Sequence, residues 1–202
     1  MRRLWVKICG ITTPEALAAA AGAGADAVGF VFHAASPRNV DPRMARELAR
    51  YVADGLERVA VFLHPTQSQV DAALEAIAPD WVQVDTGDVA RLVLPESLRV
   101  MHVLRSPMAP PSPLPARCLV EGGRSGAGER ADWTLAAQLA RATELVLAGG
   151  LDAGNVAEAV CTVRPFGVDV SSGVESGRGV KDVARIREFV RAARAAEQAR
   201  VD

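Results

Sequence analysis

The feature that most constrains how this chain can fold is a repeated alternation along its length. Short runs rich in β-branched and aromatic residues occur eight times, at Leu4–Cys9, Asp26–Phe32, Arg58–Leu63, Trp81–Val84, Leu98–Val103, Arg117–Glu121, Glu144–Ala148 and Phe166–Val170. Segments of helical period, many of them alanine-rich, lie between them near 14–22, 42–53, 67–77, 89–92, 134–140, 155–162 and 182–197. Strands that alternate with helices predict a parallel sheet, because parallel neighbours need a crossover between them. Several helices carry start signals: Thr13 and Asp41 each precede a first-turn proline, and Asp182 opens the last helix.

The fifth unit departs from the pattern, because Ser106–Pro115 contains five prolines and cannot hold an ordinary helix. Eight strands, each followed by a connection, predict an α/β fold of the closed (β/α)8 TIM-barrel type. It would be one domain over residues 1–202 with a degenerate fifth helix, compact beside the roughly 250 residues usual for that fold. An open doubly wound sheet is the rival, but Cys9-Gly10-Ile11-Thr12 stands where such a fold would carry GxGxxG.

Composition narrows the partners. Half of the residues are hydrophobic, enough for a sizeable core without disulfide or metal staples. With 23 Lys+Arg against 24 Asp+Glu and a net charge of −1, the chain has no electrostatic footprint for nucleic acid or a membrane surface. A small-molecule ligand is expected, and neither a monomer nor a homodimer is excluded. Cys9, Cys118 and Cys161 are odd in number and lack CxxC spacing, which fits a reducing cytoplasm better than a secreted scaffold or a zinc site. The opening MRRLWVKICG is interrupted by Lys7 and does not read as a signal peptide, and no apolar run is long enough to span a membrane.

In a parallel barrel the active site lies at the C-terminal ends of the strands. Period-two alternation puts Lys7 with Cys9, Gln83 with Asp85, and Arg117 with Glu121 on shared faces. If these faces point inward, the barrel mouth holds a thiol, two carboxylates and a cation. A buried cysteine is usually a small hydrophobe, whereas a strand-end thiol two residues beyond a lysine suits a partly exposed thiolate of lowered pKa; both readings of Cys9 stand at this point. Gly149-Gly150 and Ser171-Ser172-Gly173 follow the seventh and eighth strands, where barrels often bind phosphate. The glycine-rich stretch 122–128 reads as a mobile loop able to close over a ligand. Arg38, in the Ser36-Pro37-Arg38 loop, offers a fork for a carboxylate, while His33, His64 and His102 are too scattered in sequence for a metal site.

Taken together, Lys7-Ile8-Cys9-Gly10-Ile11-Thr12, Gly24-Ala25-Asp26-Ala27-Val28-Gly29-Phe30, Ser36-Pro37-Arg38, Leu147-Ala148-Gly149-Gly150-Leu151, Asn155-Val156 and Asp169-Val170-Ser171-Ser172-Gly173-Val174-Glu175 resemble the phosphoribosylanthranilate isomerase family of tryptophan biosynthesis. The resemblance implies a cofactor-free Amadori rearrangement of a phosphosugar–anthranilate substrate. It makes Cys9 the general base, Arg38 the holder of the anthranilate carboxylate, and Gly149, Gly150, Ser171, Ser172 and Gly173 the phosphate site. Lys7, Asp85 and Asp169 are possible accessories.

Three positions depart from the family pattern. Glu121 stands where the family's general acid is an aspartate, Asp85 where the fourth strand commonly ends QLHG, and His64-Pro65 where the third commonly ends in Asn or Asp. The extra methylene of Glu121 displaces the proton donor by roughly 1.5 Å. The departures keep two alternatives in view: a phosphate-ligand barrel that has lost catalysis, and a related aminoaldose–ketose isomerase of histidine biosynthesis. The thiol at Cys9 argues against the second.

Overall fold

The computed structural model describes residues 3–105, 110–124, 126 and 128–199. Its strands are β1 (Trp5–Cys9), β2 (Ala27–Val31), β3 (Glu57–Val61), β4 (Trp81–Asp85), β5 (Arg99–Arg105), β6 (Arg117–Glu121), β7 (Glu144–Leu147) and β8 (Gly167–Val170). They pair in parallel in chain order, and β8 returns to β1 through the register Lys7–Asp169, closing the barrel. Around it lie α1 (Pro14–Ala23), α2 (Pro42–Ala49), α3 (Gln67–Ile77), α4 (Thr86–Val89), α5 (Trp133–Leu139), α6 (Val156–Val163) and α7 (Val183–Gln198).

The start signals act as expected. The Thr13 side chain accepts from the Ala16 N–H at 3.2 Å, Asp41 accepts from Met44, and Asp182 accepts from Ala184 and Arg185, each satisfying N–H groups that a helix leaves open at its first turn. The fourth helix differs from its expected place at 89–92. It is a single turn starting at Thr86, directly off β4, because the Thr86 hydroxyl donates to the Val103 carbonyl and draws the chain against β5. Between β5 and β6, residues 110–116 carry no helix, while 106–109 of the proline-rich segment lie outside the described residues. A short antiparallel hairpin after β8, formed by β9 (Glu175–Gly177) and β10 (Val180–Lys181), was not legible as strands.

Alternation sorts each strand into two faces. Val6, Ile8, Val28, Phe30, Val82, Val84, Val168 and Val170 face outward into the layer under the helices. That layer also buries Ile186, Phe189 and Val190, the apolar stripe of α7. Trp5, Ala27, Val59, Trp81, Met101, Leu119 and Val146 fill the interior. At the N-terminal end of the barrel Glu57 accepts from both indole N–H groups, Trp5 at 2.9 Å and Trp81 at 3.1 Å. Arg117 lies there too, 4.3 Å from the Trp81 ring and 4.1 Å from that of Phe166, so it belongs to the base of the barrel and supplies no charge at the mouth. This end is a stability feature. Trp81→Ala should lower unfolding free energy by about 3–5 kcal/mol, measured by urea denaturation, while kcat per folded molecule stays within about twofold of wild type.

Candidate active site

The inward faces of the strands bring polar groups together toward their C-terminal ends. Lys7 is fully buried, and its ammonium donates to Gln83 Oε1 and Asp169 Oδ1, each at 2.9 Å. Burial works against this charge, but Asp169 and the neighbouring Cys9 more than offset it and raise the lysine pKa. Cys9 lies two residues on. Gly29 makes room for both side chains, since a Cβ there would stand 2.9 Å from Cys9 Sγ and 3.1 Å from Lys7 Cε. The expectation of a partly exposed thiol of lowered pKa is corrected: Cys9 is buried, and burial pushes the thiol above its ordinary value despite the pull of Lys7 and Lys181.

Glu121, at the end of β6, faces the same space as Cys9 and Asp169. Burial pushes its carboxyl up, Arg105 opposes that rise, and the negative charges of Asp169 and Asp85 reinforce it. Arg105 pairs with Glu121 through one guanidinium nitrogen and with Asp85 at 2.7 Å through the other. His64, in the left-handed region at φ 48°, adds its Nδ1 to Asp88 at 2.9 Å and stands 3.8 Å from Asp85. The fold thus joins His64, Asp85 and Asp88, whose ligand-type atoms lie within 4.8 Å of one another, although sequence spacing separates them. Both carboxylates already have a cation, Arg91 for Asp88 and Arg105 for Asp85, so the group reads as an ion-pair row.

Arg38 is also buried, and its fork is held by its own chain. Nε donates to Glu175 Oε1 at 2.6 Å, Nη2 to Oε2 at 3.0 Å, and Nη1 to the Gly126 carbonyl at 3.2 Å. Lys181 donates to Glu175 at 2.7 Å and to the Ser171 carbonyl at 2.9 Å. Burial disfavours the Glu175 charge, but hydrogen bonds from Arg38, Lys181 and the Gly179 N–H outweigh it and hold the carboxyl at about 2.

These groups border a cavity of about 180 Å³ lined by Cys9, Arg38, Gln83, Glu121, Asp169 and Ser171, with Val31, Val61, Phe62 and Leu63 as an apolar wall and Arg178 at the rim. A smaller cleft of about 40 Å³ continues from it, sharing Glu121, Gly126, Asp169 and Ser171, and is lined further by Gly149, Gly150 and Ser172. Gly149 and Gly150 adopt φ of 83° and 66°, a conformation that favours glycine. Asn155 braces their turn by donating to the Gly150 carbonyl at 2.8 Å. Gly173 does not line the cleft; it packs against the Leu151 carbonyl, where a side chain would collide. Of the loop expected to be mobile, Ser125 and Ala127 lie outside the described residues, and Gly126 and Gly128 border the cleft.

The geometry therefore gathers Cys9, Arg38, Glu121, Gly149, Gly150, Asp169, Ser171 and Ser172 around two clefts that share a wall, with Lys7 buried behind it on Asp169 and Asp85 linked to Glu121 through Arg105. Arg105, Glu175, Arg178 and Lys181 were missed. The parity of Met101 and Val103 extends inward to Arg105, a signal present once the strand is continued by two residues. Glu175 sat in a quoted motif, but nothing local shows that its partner is 137 residues away.

Comparison with known proteins agrees with this architecture. A family model described as N-(5'phosphoribosyl)anthranilate (PRA) isomerase matches residues 6–192. The chain belongs to the phosphoribosylanthranilate isomerase family. Members are aldose–ketose isomerases of tryptophan biosynthesis. An N-(5'-phosphoribosyl)anthranilate isomerase of Pseudomonas putida is 39% identical over 94% of this chain and 97% of that protein. The crystal structure of TrpF from Jonesia denitrificans superposes with a TM-score of 0.82 at 33% identity, covering 96% of this chain and 98% of the other. A phosphoribosylanthranilate isomerase solved in complex with reduced 1-(o-carboxyphenylamino)-1-deoxyribulose 5-phosphate gives 0.78 at 30% identity, covering 96% and 100%. Among the described residues of this isomerase, no helix is long and apolar enough to cross a membrane.

The Arg38–Glu175–Lys181 cluster yields a stability prediction. Glu175→Gln should cost about 3 kcal/mol, because it leaves two buried cations without their carboxylate, and lower Tm by about 6–12 °C in thermal unfolding. A carboxyl depressed from 4.5 to about 2 contributes stability that is complete above 4.5 and is lost as pH falls through about 2. The variant should accordingly lose less stability than wild type across that acid window.

Proposed function

We propose that this chain converts N-(5-phosphoribosyl)anthranilate into 1-(2-carboxyphenylamino)-1-deoxyribulose 5-phosphate, with Glu121 as general acid and Cys9 as general base. The observation that carries this reading is that the thiol and the carboxyl line one cavity, which continues into the glycine- and serine-lined cleft. The apolar wall of Val31, Val61, Phe62 and Leu63 suits the anthranilate ring. Arg38 meets the ring carboxylate with the donor capacity that Glu175 leaves it, and Arg178 at the rim adds a second cation. The phosphate lies against Gly149, Gly150, Ser171 and Ser172, and Gly173 shapes the turn beneath them.

The chemistry balances within the substrate. The Glu121 carboxyl gives its proton to the ribose ring oxygen as the C1–O bond breaks; that bond pair stays on oxygen, and the anthranilate nitrogen lone pair forms the C=N bond of a Schiff base. The Cys9 thiolate then takes the proton from C2, whose bond pair becomes the C1=C2 bond of an enolamine and returns the lone pair to nitrogen. Loss of the enol proton and protonation at C1 give the ketone. Electrons move from C2 to C1 of one molecule, so no external acceptor enters the balance. Lys7 and Lys181 favour the thiolate against the effect of burial, and Asp169 keeps Lys7 in place. Holding both anionic ends of the substrate fixes the reacting carbons between acid and base.

The test follows the fluorescence of freshly generated phosphoribosylanthranilate. Cys9→Ser and Glu121→Gln should each lower kcat by about 10²–10⁴ while the reduced product analogue still binds within a few fold of wild type. An unchanged kcat in either variant would remove that residue from its role. Lys7→Met, which deletes the cation beside the thiol, should lower kcat in the same assay.

A further inference from the structure

Glu121 lines the cavity, whereas Arg105 and Asp85 do not border it. They stand behind it as a connected pair. Arg105 lies opposite Glu121 in the β5–β6 ladder, and Asp85 lies opposite Val103 in the β4–β5 ladder, so the guanidinium reaches one carboxylate on each side. One face of its fork meets Glu121 and the other meets Asp85 Oδ1 at 2.7 Å. The side chains of all three are about 15% exposed or less, so their charges act on one another with little screening.

This arrangement answers a difficulty in the chemistry. An arginine paired with one carboxylate favours the ionised form, which has no proton to give. We infer that Arg105 and Asp85 are positioning residues for the proton donor: Arg105 fixes the Glu121 carboxyl at the cavity wall, and Asp85 shares the guanidinium so that Glu121 can carry a proton there. The inference rests on the reading of Glu121 as the acid. Other charges face the same carboxyl. Asp169 acts from β8 and opposes ionisation in the same direction as Asp85. Cys9 and Arg38 share the cavity, and Arg124 with Glu129, paired to each other, come from the loop after β6. On β4's side of the row, His64 stands 3.8 Å from Asp85 and 2.9 Å from Asp88.

The experiment is a ¹³C NMR titration of the side-chain carboxyls in full-length protein labelled at glutamate, with the Glu121 signal assigned by its disappearance in Glu121→Gln. In the nearly isosteric Asp85→Asn, Arg105 acts on Glu121 alone. The Glu121 midpoint should therefore fall by about one pH unit, the scale of one nearby charge in a partly screened site. Near neutral pH kcat should fall roughly tenfold with it, while KM stays within about twofold because Asp85 does not touch the substrate. Arg105→Lys, which keeps the charge but loses the fork, should also lower kcat with little change in KM. An unchanged Glu121 midpoint in Asp85→Asn, with Glu121→Gln inactive, would overturn the positioning role and leave the acid reading intact. Wild-type kcat in Glu121→Gln would overturn the acid reading and this inference with it.

Discussion

A lysine ammonium enclosed at the centre of the barrel is the interaction on which the rest of the site depends. An unpaired charge in such a place would cost several kcal/mol, so Lys7 is accommodated only where Gln83 from β4 and Asp169 from β8 reach it together. That requirement ties the first strand to its immediate neighbour and to a strand across the barrel. It also fixes the orientation of β1, and with it the place of Cys9 two residues further along. Gly29 completes the arrangement by leaving the volume that these two side chains occupy.

The strand–helix plan was legible because it rests on local properties: β-branched runs, helical period, capping residues and first-turn prolines. The parity of each strand was equally plain, and it put Lys7 with Cys9, Gln83 with Asp85, and Arg117 with Glu121 on shared faces. What escaped the sequence depends on distance or on brevity. The single turn of α4 is too short for a period and is set by the contact of Thr86 with β5. The β9–β10 hairpin has two short strands and no alternation to read. Burial of Cys9 and Arg38 follows from what closes over them, which neither residue's sequence neighbours reveal. Arg38 looked like a loop arginine awaiting a ligand, and the fold supplies Glu175 as its partner from near the other end of the chain.

The two ends of the barrel are built on different principles. The N-terminal end is filled by aromatic rings whose polar atoms are matched by Glu57 and Arg117. The C-terminal end carries ionisable groups in shared pairs, with Glu175 between two cations and Arg105 between two carboxyl groups. Each shared group couples its neighbours, so the effects of substitutions within either trio are not expected to add.

The long reach of these pairs bears on the order in which the chain acquires its site during synthesis. Lys7 and Arg38 are made before their partners Asp169 and Glu175, which follow them by 162 and 137 residues. Until the eighth strand and the hairpin behind it are made, the first strand carries a charge that has no complete burial site. The bonds that position the thiol and the guanidinium are therefore incomplete in any chain that stops short of β8 and the hairpin after it.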